Sequence, residues 1–256
     1  MNCNNVKIYV CCHKDYEDVG INNNNYKLIS NKDIQNNTSL ELIKTDKVLD
    51  DRLWSELSCI YHIWKHPELQ SDWIGICHYR RYFDFMNDIP TNLTKPIVPK
   101  RLGAMLNNYI TYDLCHNSVD LYTCIKIIKK DFPDYLRPTL AMCDSHQYFP
   151  YNMFILPKSL FNELCEFLFC VLFKFDAMIK VNNKYDEMLK HIADYRERYV
   201  EKSSYPNDTY EYQARLYGFL AERLVTAFFM KYLHDNGADS LEEKEVTITE
   251  KTYNKI

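Results

Sequence analysis

Two short clusters of basic side chains come directly after apolar stretches that have the composition of buried strands. His13 and Lys14 follow "VKIYVCC" (6–12), and a His-Tyr-Arg-Arg run (78–81) follows "WIGIC" (73–77). Guanidinium groups offer planar forks of donors that match phosphate and carboxylate oxygens. Because ligands of open α/β sheets bind at the carboxyl ends of the strands, the two clusters predict one anion-binding crevice.

The two adjacent arginines have different expected roles. Successive residues of an extended chain point to opposite sides, so Arg80 and Arg81 face the crevice together only if the chain turns there. We expect one arginine to bind a ligand and the other to make a structural ion pair. The alternative for both clusters is a solvated strand end, with the arginine stems covering apolar surface.

The last predicted helix carries a second set of polar residues beside its apolar stripe. In "YEYQARLYGFLAERL" (210–224), one side of the helix presents Arg215, Phe219, Glu222 and Arg223. A carboxylate at such a boundary suits a general base, and an arginine suits a clamp for phosphate or carboxylate. An ion pair within or between helices explains the same residues without a ligand.

The order of the predicted elements favours an α/β fold with a sheet that helices cover on both faces. The apolar pattern predicts strands at 6–12, 73–77 and 151–157, and a short strand or a connector at 96–99. It predicts helices at 50–66, 117–130, 158–175 and 209–234. We expect one domain over 1–238, with a polar excursion at 176–208 and a polar tail at 239–256.

The composition excludes several classes of protein. The net charge of −4 and the lack of a long basic block give no reason to expect nucleic acid as a partner. No CxxC pair occurs among the ten cysteines, which favours buried free thiols in a reducing cytosol over a disulfide scaffold or a structural zinc site. No signal peptide or membrane-spanning run is visible, so a cytoplasmic location is expected. With five glycines, no GxGxxG and no GxxxxGK[ST], side chains must bind any phosphate.

Five stretches, which follow one another in family order, resemble the DUF4422 family of glycosyltransferases from bacterial and viral polysaccharide loci. They are "IYVCCHKDY" (8–16), "SELSCIYHIWKH" (55–66), "DWIGICHYRRYF" (72–83), "NMFIL" (152–156) and "YQARLYGFLAERL" (212–224). The resemblance implies a GT-A-like fold, with a mainly parallel sheet that binds a nucleotide sugar at the strand ends. It favours an inverting transfer of galactofuranose or another hexose from a UDP-sugar to a hydroxyl group of a growing surface polysaccharide.

The resemblance also implies roles for single residues. Most GT-A enzymes hold a divalent metal with a DxD triplet, which this chain lacks, so we expect an arginine to replace the metal and predict no cofactor. The expected donor-binding residues are His13, Lys14, His78, Arg80, Arg81 and Arg215. Glu222 is the expected base, with Asp208 and Asp144 as alternatives. The residues expected to contact the sugar or acceptor are Glu56, Tyr79, His146 and Asn152.

The implied partners are a nucleotide-sugar donor, a glycan or lipid-linked glycan acceptor and other polysaccharide-assembly enzymes. This places the protein in the cytoplasm, with a peripheral position at the inner face of the membrane as a further expectation. Two other functions stay open: a nucleotidyltransferase-type sugar-nucleotide enzyme, and a non-catalytic module that binds nucleotide or glycan. The former normally has a glycine-rich basic loop after its first strand, and "CCHKDYEDVG" (11–20) is a poor match to one.

Overall fold

The computed structural model describes residues 5–17, 19–21, 23–85, 87–90, 92–199 and 209–249, with the backbone alone for 196–199. These residues form eleven strands and nine α-helices. The strands are β1 (Val6–Cys11), β2 (Tyr26–Ser30), β3 (Leu42–Lys44), β4 (Trp73–His78), β5 (Arg81–Phe83), β6 (Ile97–Pro99), β7 (Leu102–Gly103), β8 (Gln147–Tyr148), β9 (Phe154–Pro157), β10 (Glu242–Lys244) and β11 (Val246–Ile248). The helices are α1 (Asp51–Trp54), α2 (Leu57–Lys65), α3 (Asn108–Cys115), α4 (Ser118–Asp131), α5 (Leu136–Asp144), α6 (Lys158–Ile179), α7 (Tyr185–Tyr199), α8 (Tyr210–Gln213) and α9 (Leu216–Asn236).

One central sheet organises the described chain. Its strands follow the order β10-β6-β9-β4-β1-β2-β3, and β5 pairs with both β4 and β11 at the side. β1 pairs in parallel with β2 and β4, β2 with β3, and β6 with β10. β9 runs antiparallel between β4 and β6. The prediction of an α/β fold with a mainly parallel sheet is confirmed.

The two faces of the sheet are covered by different kinds of structure. Along β1, Tyr9 and Cys11 belong to the large core that contains the helices, while Ile8 and Val10 belong to a second buried cluster on the other face. None of the buried residues in this second cluster lies in a described helix. Loops and β5 therefore cover that face, where the sequence predicts helices. Both clusters share the one sheet, so the described residues form a single domain.

Two helix starts follow directly from capping side chains. Asp50 accepts a hydrogen bond from the backbone N–H of Arg52 (3.0 Å) at the start of α1. Asn117 accepts one from the backbone N–H of Val119 (3.1 Å) at the start of α4, as the sequence predicts. These side chains satisfy donors that have no partner inside the first turn of a helix.

The predicted helices at 50–66 and 209–234 are each interrupted. Ser55 separates α1 from α2 with a φ of 50°, and Arg215 lies between α8 and α9. The Nε–H of Arg215 donates to the hydroxyl oxygen of Ser55 at 3.1 Å, so the two interruptions meet in space. A tertiary contact of this kind has no local sequence pattern.

Two polar segments are more ordered than the sequence predicts. The excursion expected at 176–208 contains the end of α6 and all of α7, up to the last described residue of that segment. The expected tail contains β10, which pairs with β6, and β11, which pairs with β5. The tail therefore belongs to the sheet as far as it is described.

Among the described residues, no helix combines the length and apolar character needed to cross a lipid bilayer. The nine cysteines in the same part of the chain are free thiols, and seven of them are buried.

The centre of the sheet requires glycine at position 75. Gly75 lies in β4, directly between Ile8 of β1 and Ile155 of β9. A Cβ atom at Gly75 would lie 2.8 Å from Cγ1 of Ile8 and 3.1 Å from Cγ1 of Ile155. Both neighbours are β-branched and buried, so they cannot move aside without shifting the strands.

We expect Gly75→Ala to lower the free energy of unfolding by about 1–3 kcal/mol, because overpacking forces buried side chains and strands apart. Urea unfolding followed by circular dichroism measures this change. Gly103→Ala is the matched control, since a Cβ atom there meets nothing within 4 Å. Equal midpoints for the two variants would contradict the packing described here.

Candidate active site

The two arginines lie on a tight hairpin at the carboxyl end of β4. His78 of β4 pairs with Arg81 of β5, and Tyr79 and Arg80 form the turn between them. Because the chain reverses here, both arginines remain at the strand end. Arg80 is exposed, with its guanidinium carbon 4.9 Å from the centre of the Tyr79 ring. The guanidinium carbon of Arg81 lies 4.5 Å from the centre of the Tyr151 ring.

The ion pair expected for one of these arginines is not observed. Neither Arg80 nor Arg81 makes a salt bridge with a carboxylate of the described residues. The Nε of Arg81 is buried and has no hydrogen-bond partner in that part of the chain. Both guanidinium groups rest on tyrosine rings, which position a cation without neutralising it.

The segment before β9 connects the arginine hairpin to α9. Tyr151 and Asn152 have φ values of 72° and 50°, a conformation that few residues with a side chain adopt. The carbonyl oxygen of Tyr151 accepts a hydrogen bond from Nε2 of His78, and its N–H donates to Oε1 of Glu222 at 2.9 Å. A carbonyl oxygen can only accept, so Nε2 of His78 carries a proton. The backbone of one residue, Tyr151, thus joins the end of β4 to Glu222 of α9.

Glu222 is held by two donors at the edge of the helix bundle. Besides the N–H of Tyr151, Nη1 of Arg223 lies 2.8 Å from its Oε2. Its side chain retains 19% exposure, against 7% for Arg223. Burial raises the pKa of Glu222, and Arg223 opposes that shift. The Arg215–Glu222 pairing that the helix spacing allows does not form, since Arg215 bonds to Ser55.

A second carboxylate, Glu56, lies at the start of α2. Its Oε1 accepts a hydrogen bond from Nδ2 of Asn152 at 2.6 Å, and Nδ2 also donates to the carbonyl oxygen of Gly218 at 3.2 Å. Oδ1 of Asn152 is buried and has no partner among the described residues. The Glu56 charge acts on the pKa values of both His78 and Glu222, which places all three groups in one electrostatic cluster.

His13 lies at the end of β1, among positive charges. Its Nε2 lies 3.4 Å from the hydroxyl oxygen of Tyr79, and the two rings meet edge to face. Desolvation of the imidazole and the charge of four neighbouring cations lower the pKa of His13 to about 4. These cations are Lys32, Arg215, Lys14 and Arg80. The imidazole is therefore neutral at pH 7, in a field that favours anions.

His78 is likewise surrounded by cations. Burial lowers its pKa, and the charges of Arg81 and Arg215 act in the same direction, while Glu56 opposes them. Arg215 acts on both His13 and His78, so the cations that follow β1 and β4 belong to one rim. The six donor-binding residues predicted from the sequence all lie in this cluster.

Two other predicted residues are not brought to the rim. His146 is exposed, and its carbonyl oxygen accepts from the N–H of Ala104 beside the small β7–β8 sheet. Asp144 is exposed at the end of α5. Neither side chain makes a hydrogen bond or ion pair within the described site. Asp208 lies outside the described residues.

Other contributors were not identified from the sequence. Tyr151 supplies a ring and both of its backbone groups, Arg223 holds Glu222, and Ser55 holds Arg215. Lys32 follows β2, a parallel neighbour of β1, and forms an ion pair with Asp51 at 2.8 Å. A lysine just after a third parallel strand is the one pattern in the sequence from which a further cation at the rim could have been predicted.

The assembled rim can bind a strong anion and can accept a proton next to it. Arginine and lysine side chains from several elements lie around His13 and His78, close to the two carboxylates Glu56 and Glu222. Arg80 and Arg81 have no carboxylate partner among the described residues, and two such arginines suit a ligand with two or more negative charges. A buried carboxylate with a raised pKa suits general-base catalysis.

Comparison with solved structures finds a similar fold in a structure described as apo WbbM, a bifunctional glycosyltransferase. The TM-score is 0.69 at 20% sequence identity, and the alignment covers 96% of this chain but 45% of that one. The chain therefore spans less than half of the protein that it resembles, and the likeness is one of fold. The curated protein sequences contain no match to this chain. The sequence pattern of DUF4422, a domain of unknown function, matches residues 7–200, and the chain belongs to this family.

Proposed function

We propose that this protein transfers a sugar from a nucleoside diphosphate sugar to a hydroxyl group. The observation that carries the proposal is the hairpin of Arg80 and Arg81, whose two arginines have no acidic partner among the described residues and lie beside the carboxylates of Glu222 and Glu56. A diphosphate leaving group needs such positive charge, and an attacking hydroxyl group needs a base. The similar fold of the bifunctional glycosyltransferase WbbM supports this proposal.

The diphosphate is the part of the substrate that the cations recognise. Arg80, Arg81 and Arg215 bind its oxygens, and His13 and Lys14 border the nucleotide. As the bond between the anomeric carbon and the diphosphate oxygen breaks, negative charge develops on that oxygen. The guanidinium groups stabilise this charge, which is the role that a divalent metal has where a DxD triplet is present. The Nε–H of Arg81, which has no hydrogen-bond partner among the described residues, supports this role.

The acceptor hydroxyl group attacks the anomeric carbon from the face opposite the diphosphate and inverts the configuration there. Glu222 takes the hydroxyl proton, and its raised pKa favours this acceptance near neutral pH. Glu56 and Asn152 orient the sugar or the acceptor through the carboxylate and the unpartnered Oδ1, with Tyr79 at the same rim. The hydroxyl proton ends on Glu222 and the nucleoside diphosphate leaves in the same step, so the atoms and charges of the reaction balance.

The finer assignments rest on the family resemblance. The donor is a UDP-sugar, with galactofuranose or another hexose as the sugar. The acceptor is a glycan or a lipid-linked glycan of a surface polysaccharide, and the protein works in the cytoplasm or at the inner face of the membrane with other assembly enzymes.

Removal of the Arg81 guanidinium should weaken UDP binding. A lost hydrogen bond to a charged group costs about 1.5–3 kcal/mol, so Arg81→Gln should raise the Kd for UDP by about 10–100-fold. Calorimetric titration measures the Kd, and thermal unfolding with UDP, GDP, CMP and ADP measures base selectivity. Arg137→Gln is the control, since Arg137 is exposed on α5.

Each nucleotide is also tested with and without EDTA, against an EDTA blank that lacks nucleotide. We expect UDP to raise the melting midpoint by several degrees, and we expect the same rise in the presence of EDTA. If EDTA abolishes the rise in melting midpoint that the nucleotide causes, a metal and not an arginine holds the diphosphate.

The two carboxylates should have separable roles. Glu222→Gln should reduce kcat about 10²–10⁴-fold with little change in the Kd for UDP, because a general base acts on the chemical step. Glu56→Gln should mainly raise KM for the sugar substrate or acceptor. Turnover assays with a UDP-sugar panel measure both variants, after circular dichroism shows that they are folded. If Glu56→Gln abolishes turnover and Glu222→Gln does not, the two roles are exchanged.

UDP should raise the pKa of His13. In the free protein this pKa is lowered to about 4, so the imidazole stays neutral at pH 5–7. A bound diphosphate offsets the neighbouring positive charges, and the complex therefore takes up a proton more readily. Affinity for UDP should then increase as the pH falls from the His13 pKa of the complex towards that of the free protein.

NMR titration of the imidazole signals, assigned with His13→Gln, measures this shift. His234 is 73% exposed on the last turn of α9 and is the control, since its imidazole signals should be the same with and without UDP. An unchanged His13 titration in saturating UDP would place the diphosphate elsewhere.

A further inference from the structure

Three potential metal ligands converge away from the proposed crevice. His62 and His66 lie four residues apart at the end of α2, on one face of the helix, and Asp46 follows β3. Nδ1 of His62 lies 3.4 Å from Oδ2 of Asp46, and Nε2 of His66 lies 3.2 Å from the same oxygen. All three ligand atoms lie within 4.8 Å of one another.

The hydrogen bonds of the two histidines leave acceptor atoms facing each other. Nδ1 of His66 lies 2.8 Å from the carbonyl oxygen of His62, and because a carbonyl only accepts, Nδ1 carries the proton. Nε2 of a neutral His66 is therefore a lone pair directed at the Asp46 carboxylate. Nδ1 of His62 accepts a long hydrogen bond from the backbone N–H of Asp46 at 3.4 Å, so this nitrogen also carries a lone pair, which a metal ion would take in place of that N–H. A cation between these atoms satisfies all three.

The separations match the coordination geometry of zinc. Zinc binds histidine nitrogens and carboxylate oxygens at about 2.0–2.2 Å with tetrahedral angles, which places two ligand atoms about 3.3–3.5 Å apart. The separations of 3.2 and 3.4 Å lie close to this edge length. An octahedral site with the same bond lengths would place neighbouring ligand atoms about 3 Å apart.

The surroundings suit a site with an open position. His62 is buried, at 8% exposure, and its ring lies against that of His66 at an angle of 34° with the centres 4.0 Å apart. A cavity of about 150 Å³ borders the three ligands and is large enough for a bound water. Lys47 and Lys65 also line it, but the Lys65 ammonium nitrogen lies 3.4 Å from the centre of the Trp64 ring, where the ring stabilises its charge.

We propose that Asp46, His62 and His66 form a binding site for one divalent transition-metal ion, with zinc the best fit to its ligands and spacing. Two nitrogens and one oxygen fill three tetrahedral positions, and water fills the fourth. The site ties the loop after β3 to the end of α2, about 9–15 Å along the helix axis from Glu56. It is a structural clamp between that loop and α2, and metal binding there does not require the proposed transfer reaction.

The test uses the full chain, stripped with a chelator and dialysed, and titrated with ZnCl₂ by calorimetry. We expect one Zn²⁺ per chain and a rise in the melting midpoint of about 5 °C or more at a hundredfold excess over Kd. CoCl₂ should give the intense visible absorption of tetrahedral Co²⁺. Affinity should fall between pH 7 and pH 5, because protons compete for the imidazole nitrogens.

Each single-ligand variant should weaken zinc binding. His66→Gln and Asp46→Asn remove partly exposed ligands, so both variants should fold, as the melting midpoint without metal will show. The Kd for zinc should rise by at least about tenfold to a hundredfold in each. His234→Gln removes an exposed histidine from α9 and should leave it unchanged.

Two outcomes would overturn the proposal. The first is the absence of stoichiometric zinc binding by the stripped chain, in which case the cluster is a pair of histidine–aspartate contacts formed on protonation. The second is an equal Kd for the parent chain, His66→Gln and Asp46→Asn, which would place the ion at another site.

Discussion

The reversed direction of β9 is the constraint on which the crevice depends. In a fully parallel sheet, every strand would deliver its carboxyl end to the rim, and the residues before each strand would lie at the opposite edge. Because β9 runs antiparallel to β4, its amino end meets the carboxyl end of β4. Tyr151 and Asn152 thereby reach His78, Glu222 and Glu56. Two positive φ values cost about 1–3 kcal/mol each, and these contacts offset that cost.

Electrostatics at the rim differ from those of the whole protein. The chain carries a net charge of −4, yet the groups around His13 are lysines and arginines. Local placement, not total charge, sets the potential that a small anion meets. The buried partner Arg223 lets Glu222 remain among these groups, since an unpaired buried carboxylate would be strongly disfavoured. Burial at this rim raises the pKa of Glu222 and lowers that of His78, because it disfavours the charged form of each group.

The sequence predicts the parts of the fold that have local causes. Strands β1 and β4 are apolar on both faces, and Asn117 caps α4, so composition and capping suffice to identify them. It does not predict the breaks at Ser55 and Arg215, because each exists through contact with the other, 160 residues away along the chain. Strands β10 and β11 are missed for a related reason. β10 consists of charged residues and β11 has only three residues, so pairing with β6 and β5 is what makes them strands.

The same difference between features with a local cause and features that depend on tertiary contacts holds for the candidate site. Cations placed after neighbouring parallel strands are visible in the sequence, as are Glu222 and Glu56 in their motifs. The roles of Tyr151 and Arg223 depend on φ values and on the approach of α9, which no spacing encodes. The hairpin makes both arginines available, where an extended strand would have separated them.

The pairing of β5 with β11 has a consequence for how the protein is made. Ile248 pairs with Arg81, and the N–H of Thr249 donates to the carbonyl oxygen of Arg80 at 3.0 Å. The arginine hairpin is synthesised early, but its outer neighbour leaves the ribosome only after α9. Because the chain emerges amino end first, the pairing of β11 with β5 beside the arginine hairpin is the last pairing of the described sheet to form. A nascent chain thus holds an unfinished cationic edge until translation has passed residue 249.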